Sequence, residues 1–411
     1  MTTQVVKETE PYIINYLTDT DFYKFSMTQM YLHKCPNERA KWKFKLRTKD
    51  VHLGYLEDAL NREIDHLCTL RFQPFELEYL SKIYFMKPDY IEWLEDFKLK
   101  RKYIHIRRIG DDLEIEAEGP QLKVTWFEIY ILEIIQELYF RQFEVDWDKA
   151  AENLKITVDK FNKAIDEGLH FTLADFGARR RHSFKWQDYA IKYMAENCKC
   201  FVGTSNVYFA CKYGIKPIGT FAHETYALYQ GMADVPVAKA QVKVFDDWTR
   251  EYRGDLGIAL SDNFGFLAFL RDFDKFYAKL FDGARHDSGS PIVWGEMLIK
   301  HYEKLGIDPK TKTGCWSDSL NADRAIDIAS HFNNRIKISF GIGTFLMANQ
   351  ITDTAGKKPL SMVMKVVEAN GKPVVKLSDC PEKVMCEDKE YINYVKRVYN
   401  YLPLDEYKGT M

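Results

Sequence analysis

The sequence has no long uninterrupted hydrophobic run and no excess of charge of one sign. A helix that spans a bilayer needs about 20 apolar residues, whereas the most apolar stretch, residues 126–140, carries three glutamates. The net charge of -2 over 411 residues gives no electrostatic reason to expect a nucleic acid or an anionic membrane as a partner. Because the first residues, MTTQVVKETE, also lack the apolar core of a signal peptide, we expect a cytoplasmic protein.

Several short motifs are missing as well. There is no G-x-x-x-x-G-K-[ST] loop, no H-E-x-x-H and no full G-x-G-x-x-G, so the common nucleotide and zinc signatures are excluded. The eight cysteines are scattered, and Cys198 and Cys200 form C-x-C rather than a zinc knuckle or a redox C-x-x-C. This pattern predicts reduced and mostly buried thiols.

The chain does have ample material for a core, since 46% of its residues are hydrophobic and 15% are aromatic. Its length predicts more than one structural unit. We expect an α/β protein with an irregular (β/α) barrel of parallel strands over residues 121–359. Residues 1–120 should form a mixed α+β domain, completed by the C-terminal strands and helix of residues 360–411.

The N-terminal prediction depends on local periodicity. Asp19 and Thr20 can cap a helix that continues to about residue 32. Apolar and basic residues alternate over 42–47, which is typical of a half-buried strand. Leucines and an isoleucine over 53–67 share one helical face, two strands are predicted at 104–108 and 113–117, and 126–140 should be a buried helix.

From about residue 168 short apolar runs alternate with helical patterns, which predicts βα units and a parallel sheet. The predicted strands are 171–174, 201–202, 217–219, 257–260, 284–285, 314–316 and 336–340, with 122–125 as an eighth. Two further strands, 362–367 and 374–377, flank the turn Asn370-Gly371, and a last helix carries Tyr391, Val395 and Val398.

Small or polar residues follow every predicted barrel strand. They are Asp175-Phe176-Gly177, Gly203-Thr204-Ser205, Thr220 with His223-Glu224, Ser261-Asp262, His286-Asp287-Ser288-Gly289, Ser317-Asp318 and Gly341-Ile342-Gly343-Thr344. The carboxyl ends of parallel barrel strands open on one rim, where active sites form. The pattern therefore predicts a functional rim.

Two of these segments suit an anion. Gly341 and Gly343 precede a predicted helix start, where backbone N–H groups favour phosphate, although an ordinary glycine turn has the same residues. Arg179, Arg180 and Arg181 suit phosphate or carboxylate, and the alternative is a solvated basic turn. We expect at least one arginine in the rim and at least one in solvent.

Three other rim residues can carry chemistry. His223 can attack a phosphoryl group or act as a base, or it can be a buried structural histidine. Asp287 and Asp318 can bind sugar hydroxyls, help hold magnesium or stabilise a ribosyl cation, and each can also cap a helix. The residues alone thus predict a barrel enzyme that binds a phosphorylated, sugar-containing anion.

The motifs together resemble the bacterial branch of the nicotinate phosphoribosyltransferase family, from about residue 12 to about residue 388. They are Thr18-Asp19-Thr20-Asp21-Phe22-Tyr23-Lys24, Asp175-Phe176-Gly177-Ala178-Arg179-Arg180-Arg181, Gly203-Thr204-Ser205-Asn206, Gly219-Thr220-Phe221-Ala222-His223-Glu224, Arg285-His286-Asp287-Ser288-Gly289, Phe340-Gly341-Ile342-Gly343-Thr344 and Lys376-Leu377-Ser378-Asp379. Phe345 and His182 depart from the family pattern at the ends of two motifs, which concerns ligand geometry rather than the reaction.

The resemblance implies that nicotinate condenses with phosphoribosyl pyrophosphate (PRPP), with coupled hydrolysis of ATP through a phosphorylated His223 and with Mg²⁺ brought by the two phosphate substrates. It implies a homodimer in which Tyr23 crosses from a second subunit to face Phe176 across the pyridine ring. The catalytic positions carried over are His223, Glu224, Arg285 and Asp287. The substrate-binding positions are Tyr23, Phe176, Arg179, Gly203, Thr204, Ser205, Asp318, Gly341, Gly343 and Thr344.

Substrate choice depends on Ser205. The sister enzyme for nicotinamide carries an aspartate at this position, which would repel a carboxylate, whereas a serine can donate to one. The alternatives are transfer to nicotinamide or quinolinate, a glycosidase using Asp287 and Asp318, and a sensor without activity on the same scaffold.

Overall fold

The computed structural model describes residues 11–380, 384 and 386–406, so the N-terminal expectation on MTTQVVKETE lies outside the described residues. Two β-sheets organise the chain. The strands are β1 Arg39–Leu46, β2 Ile104–Ile109, β3 Asp112–Pro120, β4 Thr172–Asp175, β5 Phe201–Thr204, β6 Lys216–Pro217, β7 Ile258–Leu260, β8 Gly283–His286, β9 Thr313–Trp316, β10 Lys337–Ile342, β11 Met362–Ala369 and β12 Lys372–Pro373.

Helices of very different lengths surround the sheets. They are α1 Phe22–Lys34, α2 Glu57–Leu67, α3 Pro74–Ser81, α4 Pro88–Glu95, α5 Gln121–Val124, α6 Phe127–Phe140, α7 Trp147–Asp166, α8 Phe184–Asn197, α9 Val207–Tyr213, α10 His223–Gly231, α11 Ala240–Tyr252, α12 Phe266–Asp272, α13 Lys275–Leu280, α14 Pro291–Lys304, α15 Ala322–Phe332, α16 Gln350–Thr352 and α17 Lys389–Tyr399. Within the described residues, no helix is long and apolar enough to cross a membrane.

The larger sheet is an open barrel of seven parallel strands in the order β6-β5-β4-β10-β9-β8-β7. Consecutive strands lie side by side, and β10 returns to pair with β4, which leaves an opening between β6 and β7. Across that opening, Thr220 Oγ1 donates to the carbonyl of Ile258 at 2.9 Å. The seven predicted barrel strands and the predicted fold class are therefore confirmed.

The predicted eighth strand at 122–125 is wrong. This segment is the single helical turn α5, in which the Thr125 amide donates to the Gln121 carbonyl at 3.2 Å. A four-residue apolar run cannot distinguish a strand from a buried helical turn by its pattern. The barrel has seven strands because β4 pairs directly with β10.

The smaller sheet joins the two ends of the chain in the order β12-β11-β1-β3-β2. Strand β11 pairs with β1 in antiparallel register, with Lys43 opposite Lys365, so the C-terminal segment completes the N-terminal sheet as predicted. The strand predicted at 374–377 is wrong. The Val375 amide donates to the Gln230 side chain and the Leu377 amide to the Asn263 carbonyl, so neither is available for a neighbouring strand.

Helix α6 forms the core between the two sheets. Nearly every residue of it is buried. It packs against α2 and β11 on one side and against the helical turn Ala178–Arg180 on the other. Burial on all faces explains why the sequence shows no polar stripe over 127–140 apart from its glutamates. The buried helix predicted at 126–140 is confirmed.

Helix α1 begins later than predicted. Its cap is Asp21, without a side-chain capping bond, and not Asp19 or Thr20. Asp19 is fully buried and accepts two hydrogen bonds from Arg181, at 2.5 and 2.8 Å. The carboxylate that resembles a cap in the sequence is therefore held by a buried charge from the barrel rim.

Candidate active site

His223 lies at the first position of α10, at the barrel rim, beside two carboxylates. Its Nε2 is 2.7 Å from Oδ1 of Asp262 and 3.7 Å from Oδ2 of Asp287. Lys376 bridges the same carboxylates, with Nζ 2.9 Å from Asp262 and 3.5 Å from Asp287. We call these four residues the histidine cluster, and they come from four separate segments of the chain.

The charges within the histidine cluster fix the tautomer of His223. Burial and the charge of Lys376 lower the pKa of His223 to about 4, so the imidazole is neutral at neutral pH. Burial would raise the pKa of Asp262, but Lys376 and His223 outweigh it and hold that pKa well below its usual range. An ionised Asp262 can only accept, so Nε2 carries the proton and Nδ1 carries the lone pair.

Glu224 follows His223 in the chain but points into a different environment. Lys24, which is fully buried, lies 2.5 Å from Glu224 and 2.7 Å from Glu128, and Thr125 donates to Glu224. Burial raises the pKa of Glu224 to about 7. Its hydrogen bonds thus tie α10 to α1 and to the end of α5, and they place Glu224 behind His223 rather than within the histidine cluster.

The three adjacent arginines separate into two groups. Arg181 is completely buried, bound to Asp19 and 3.8 Å from Glu133. Arg179 and Arg180 are half-buried, and none of the three is exposed. The expectation that at least one arginine is solvated is therefore wrong, because buried carboxylates from α6 and the start of the chain neutralise Arg181.

A group of mutually repelling cations from both sheets faces the rim. Burial, with the charges of Arg179 and Arg47, lowers the pKa of Arg180 to about 10. Burial, with the charges of Lys376 and Arg47, lowers the pKa of Lys365 to about 7. We call Arg47, Arg179, Arg180 and Lys365 the cation cluster, and cations held this close together suit a multiply charged anion.

Two arginine nitrogens at the rim also indicate a site for an anion. The Nε atoms of Arg180 and Arg285 are buried, and neither has a hydrogen-bond partner among the described residues. Buried donors are normally satisfied, so each orphaned N–H indicates a group that a ligand can bind. Arg285 also lies close enough to Asp287 to help lower the pKa of that carboxyl group.

Gly341 and Gly343 bring the end of β10 against Phe176. A Cβ atom on Gly341 would lie 2.1 Å from Cδ2 of Phe176, and one on Gly343 would lie 2.6 Å from its carbonyl oxygen. Thr344 is half-buried and precedes a π-helical turn, Phe345–Asn349, of a kind that is frequent at functional sites. These glycines therefore hold the Phe176 backbone and ring, while the predicted phosphate cradle stays a prediction.

Ser205 and the start of α1 form the other wall. The Ser205 hydroxyl donates to the carboxyl group of Asp21, and the Phe22 amide donates to the Ser205 carbonyl at 2.7 Å. Burial, with the charges of Glu128 and Asp21, raises the pKa of Tyr23 well above its usual value, and Arg179 of the same chain opposes that shift. Tyr23 and Arg179 thus lie near each other within one chain, whereas a second subunit stays a prediction.

The remaining predicted residues differ in how they reach the rim. Gly203 is needed for packing, because a Cβ there would lie 2.2 Å from the Lys216 carbonyl oxygen. The Thr204 hydroxyl is occupied by Asp175, at 2.7 Å. Asp318 is half-buried at the end of β9, near enough to Arg180 to influence its pKa. Of the three, only Asp318 has a side chain directed toward the cation cluster.

Comparison with known proteins agrees with this geometry. The model of the nicotinate phosphoribosyltransferase (NAPRTase) family matches residues 171–402, and the model of its N-terminal domain matches residues 18–136. The chain belongs to the nicotinate phosphoribosyltransferase family. Membership makes it an enzyme of the transferase class.

Individual members of the nicotinate phosphoribosyltransferase family match over nearly their whole length. The relative from Chromobacterium violaceum is 43% identical over 396 residues, covering 94% of this chain and 97% of its own. The relative from Ralstonia nicotianae is 42% identical over 394 residues, covering 94% and 99%. The crystal structure from Vibrio cholerae superposes with a TM-score of 0.90 at 35% identity over 96% of each chain. That from Porphyromonas gingivalis has a TM-score of 0.88 at 31% identity, over 95% of this chain and 100% of its own.

The sequence alone predicts no role for four residues at the barrel rim. Asp262 and Lys376 lie in segments that it singled out, as a strand end and a late motif. Arg47 lies just beyond β1, where alternating basic residues predict only a basic outer strand face, and Lys365 is the single lysine of the apolar strand β11. Their signal appears only when the pairing of β1 with β11 is known.

Proposed function

We propose that the chain converts nicotinate, PRPP, ATP and water into nicotinate mononucleotide, pyrophosphate, ADP and phosphate, through a phosphohistidine at His223, in NAD salvage. The observation that carries this proposal is the neutral His223 fixed by Asp262 at 2.7 Å, next to a cluster in which neighbouring cations lower the pKa of Arg180 and of Lys365. A glycosidase would need two carboxylates without such cations. A sensor would have no need of an imidazole held in one tautomer.

The first step uses the free nitrogen of His223. Nδ1 attacks the γ-phosphorus of ATP and ADP leaves, while Nε2 keeps its proton and donates it in the hydrogen bond to Asp262, whose negative charge offsets the charge on the ring. The position of His223 at the start of α10 places the new phosphoryl group at the positive end of a helix. Water later cleaves the P–N bond and releases phosphate.

The second step forms the glycosidic bond. The cation cluster, with Arg285, binds the phosphate and pyrophosphate groups of PRPP, and the pyridine nitrogen attacks C1 of the ribose as pyrophosphate departs. The ionised Asp287 supports the positive charge that develops on the ribosyl carbon. Because the pyridine nitrogen already has a lone pair, positioning and charge stabilisation supply most of the catalysis.

Asp262 and Asp287 also fit Mg²⁺. Their carboxylate oxygens and a nitrogen of His223 lie within 4.8 Å of one another, and oxygen ligands suit this cation. Lys376 binds both carboxylates, so a magnesium ion brought by a phosphate substrate would replace the ammonium group there. When bound, the metal supplies positive charge against the phosphate oxygens.

Nicotinate should stack between Phe176 and Tyr23, with its carboxylate near Ser205. That carboxylate would compete with Asp21 for the Ser205 hydroxyl proton, and burial, which raises the pKa of Asp21, favours the release of this contact.

We place the reaction in the cytoplasm, where free cysteines are stable and ATP is abundant. We also propose a homodimer in which Tyr23 is contributed across the interface, and a monomeric active species in solution would refute this contribution.

The test is a mass-balance assay of the purified protein with Mg²⁺ and PRPP, with nicotinate or nicotinamide, and with or without ATP. We expect nicotinate mononucleotide from nicotinate, strongly stimulated by ATP, with one ADP released per coupled turnover. Turnover of nicotinamide instead would overturn the role of Ser205 and retain the phosphate sites. Absence of turnover with both would refute the proposal.

A further inference from the structure

Cys198 and Cys200 lie at the corner between α8 and β5, outside the active site. Their sulfur atoms are 3.6 Å apart. The Phe201 amide donates to the Cys198 carbonyl at 3.1 Å, so the two cysteines belong to one tight turn. The turn is held to β4, because the Leu173 amide donates to the Cys200 carbonyl at 2.8 Å.

This spacing is close to that of a disulfide. An S–S bond is about 2.05 Å long, so the sulfurs need to approach by only about 1.5 Å, which side-chain rotation within a turn can supply. The pair is also polarised. The Cys200 thiol lowers the pKa of Cys198 through their hydrogen bond, and the pKa of Cys200 rises in return. A second thiol next to a sulfenic acid can convert it to a disulfide.

We propose that Cys198 and Cys200 form a reversible redox pair that a small peroxide oxidises to a disulfide. Cys198 loses its proton as its sulfur attacks hydrogen peroxide, the O–O bond breaks, and the leaving hydroxide takes up that proton to give the first water and a sulfenic acid on Cys198. The sulfur of Cys200 then attacks the Cys198 sulfur, the S–O bond breaks, and the leaving hydroxide takes up the Cys200 proton to give the second water. Two thiols and one peroxide thus give one disulfide and two waters. Dithiothreitol reverses the reaction by thiol–disulfide exchange.

Access to the pair favours a small, uncharged oxidant. Cys198 and Cys200 are only 7% and 4% exposed, whereas Lys199 between them is exposed at the tip of the turn. Hydrogen peroxide needs little more room than water, so it can reach the sulfurs with a small opening of the turn. A bulky disulfide such as oxidised glutathione should react more slowly.

The test uses the full-length protein, fully reduced, then treated with hydrogen peroxide and alkylated under denaturing conditions. We expect two fewer alkylated cysteines than the eight of the reduced chain, and all eight again after dithiothreitol. Trypsin cuts after Lys199, so a non-reduced digest should contain residues 193–199 linked to residues 200–212. This linked pair identifies the bond even if a variant folds poorly.

Cys211, which is half-buried in α9, lies on the second of those peptides and gives a matched control. The variant Cys211→Ser should still form the linked pair, and Cys198→Ser should lose it and keep its remaining thiols. A thiol count that stays at eight would overturn the proposal. So would a linked pair that disappears in Cys211→Ser, or oxidation of Cys198 that stops at the sulfinic acid.

Discussion

Lys365 should make the binding of PRPP weaken as the pH rises above neutrality. Burial and neighbouring cations lower its pKa to about 7 in the free protein. A bound phosphate would raise that pKa, because it stabilises the ammonium form. Below pH 7 Lys365 is charged in both states and affinity is at its maximum. Above pH 7 binding requires the uptake of a proton, so affinity falls by up to about tenfold, or about 1.4 kcal/mol, per pH unit.

The matched variant is Lys365→Arg, which stays charged over the whole range. PRPP titrates too, so the quantity to follow is the ratio of the dissociation constants of the original protein and the variant, measured by calorimetry with Mg²⁺ from pH 6 to pH 9. The ratio at pH 8 should be about ten times that at pH 6. A ratio that does not change with pH, or that falls, would refute the assignment of Lys365 to the anion site.

Three further substitutions test separate parts of the rim. His223→Ala should abolish the stimulation by ATP and leave a weak ATP-independent transfer, measured as nicotinate mononucleotide formed with and without ATP; retained stimulation would remove His223 from the mechanism. Ser205→Asp should raise the KM for nicotinate at least about tenfold by adding a carboxylate next to that of the substrate, and an unchanged KM would show that this position does not set specificity. Gly341→Ala should raise the same KM about tenfold or more, because its Cβ would lie 2.1 Å from the Phe176 ring. Adding it to Phe176→Ala should then cost little, and full additivity of the two effects would contradict the clash.

The barrel could be predicted because its information is local. Each strand is a short apolar run followed at once by polar residues. In the structure these runs form seven parallel strands of one sheet. The error at residues 374–377 arises because the backbone partners there are remote. Residues 374–377 have the composition of a strand, but the Gln230 side chain and the Asn263 carbonyl take their amide protons. No pattern within the segment could reveal those partners.

The active site divides in the same way. The rim positions of His223 and Asp287 could be predicted because both residues follow strands, whereas the sequence indicates Asp262, the partner that fixes the imidazole, only as a strand end. Arg47 and Lys365 come from the opposite ends of the chain and meet because β1 pairs with β11. The basic alternation before Arg47 is equally typical of a solvated strand face, and Lys365 is a single lysine in an apolar strand, so only the tertiary pairing indicates that they share a site.

The charges around His223 indicate how phosphorylation could act on PRPP. In the unphosphorylated site one ammonium group, that of Lys376, is shared by the two carboxylates Asp262 and Asp287. A phosphoryl group on Nδ1 would add up to two negative charges at this point and would compete with those carboxylates for Lys376. The released carboxylates would then attract the magnesium that arrives with PRPP. We therefore expect phosphorylation of His223 to tighten the binding of magnesium-bound PRPP. The binding should weaken again once the P–N bond is cleaved, which is the cycle that coupling to ATP requires.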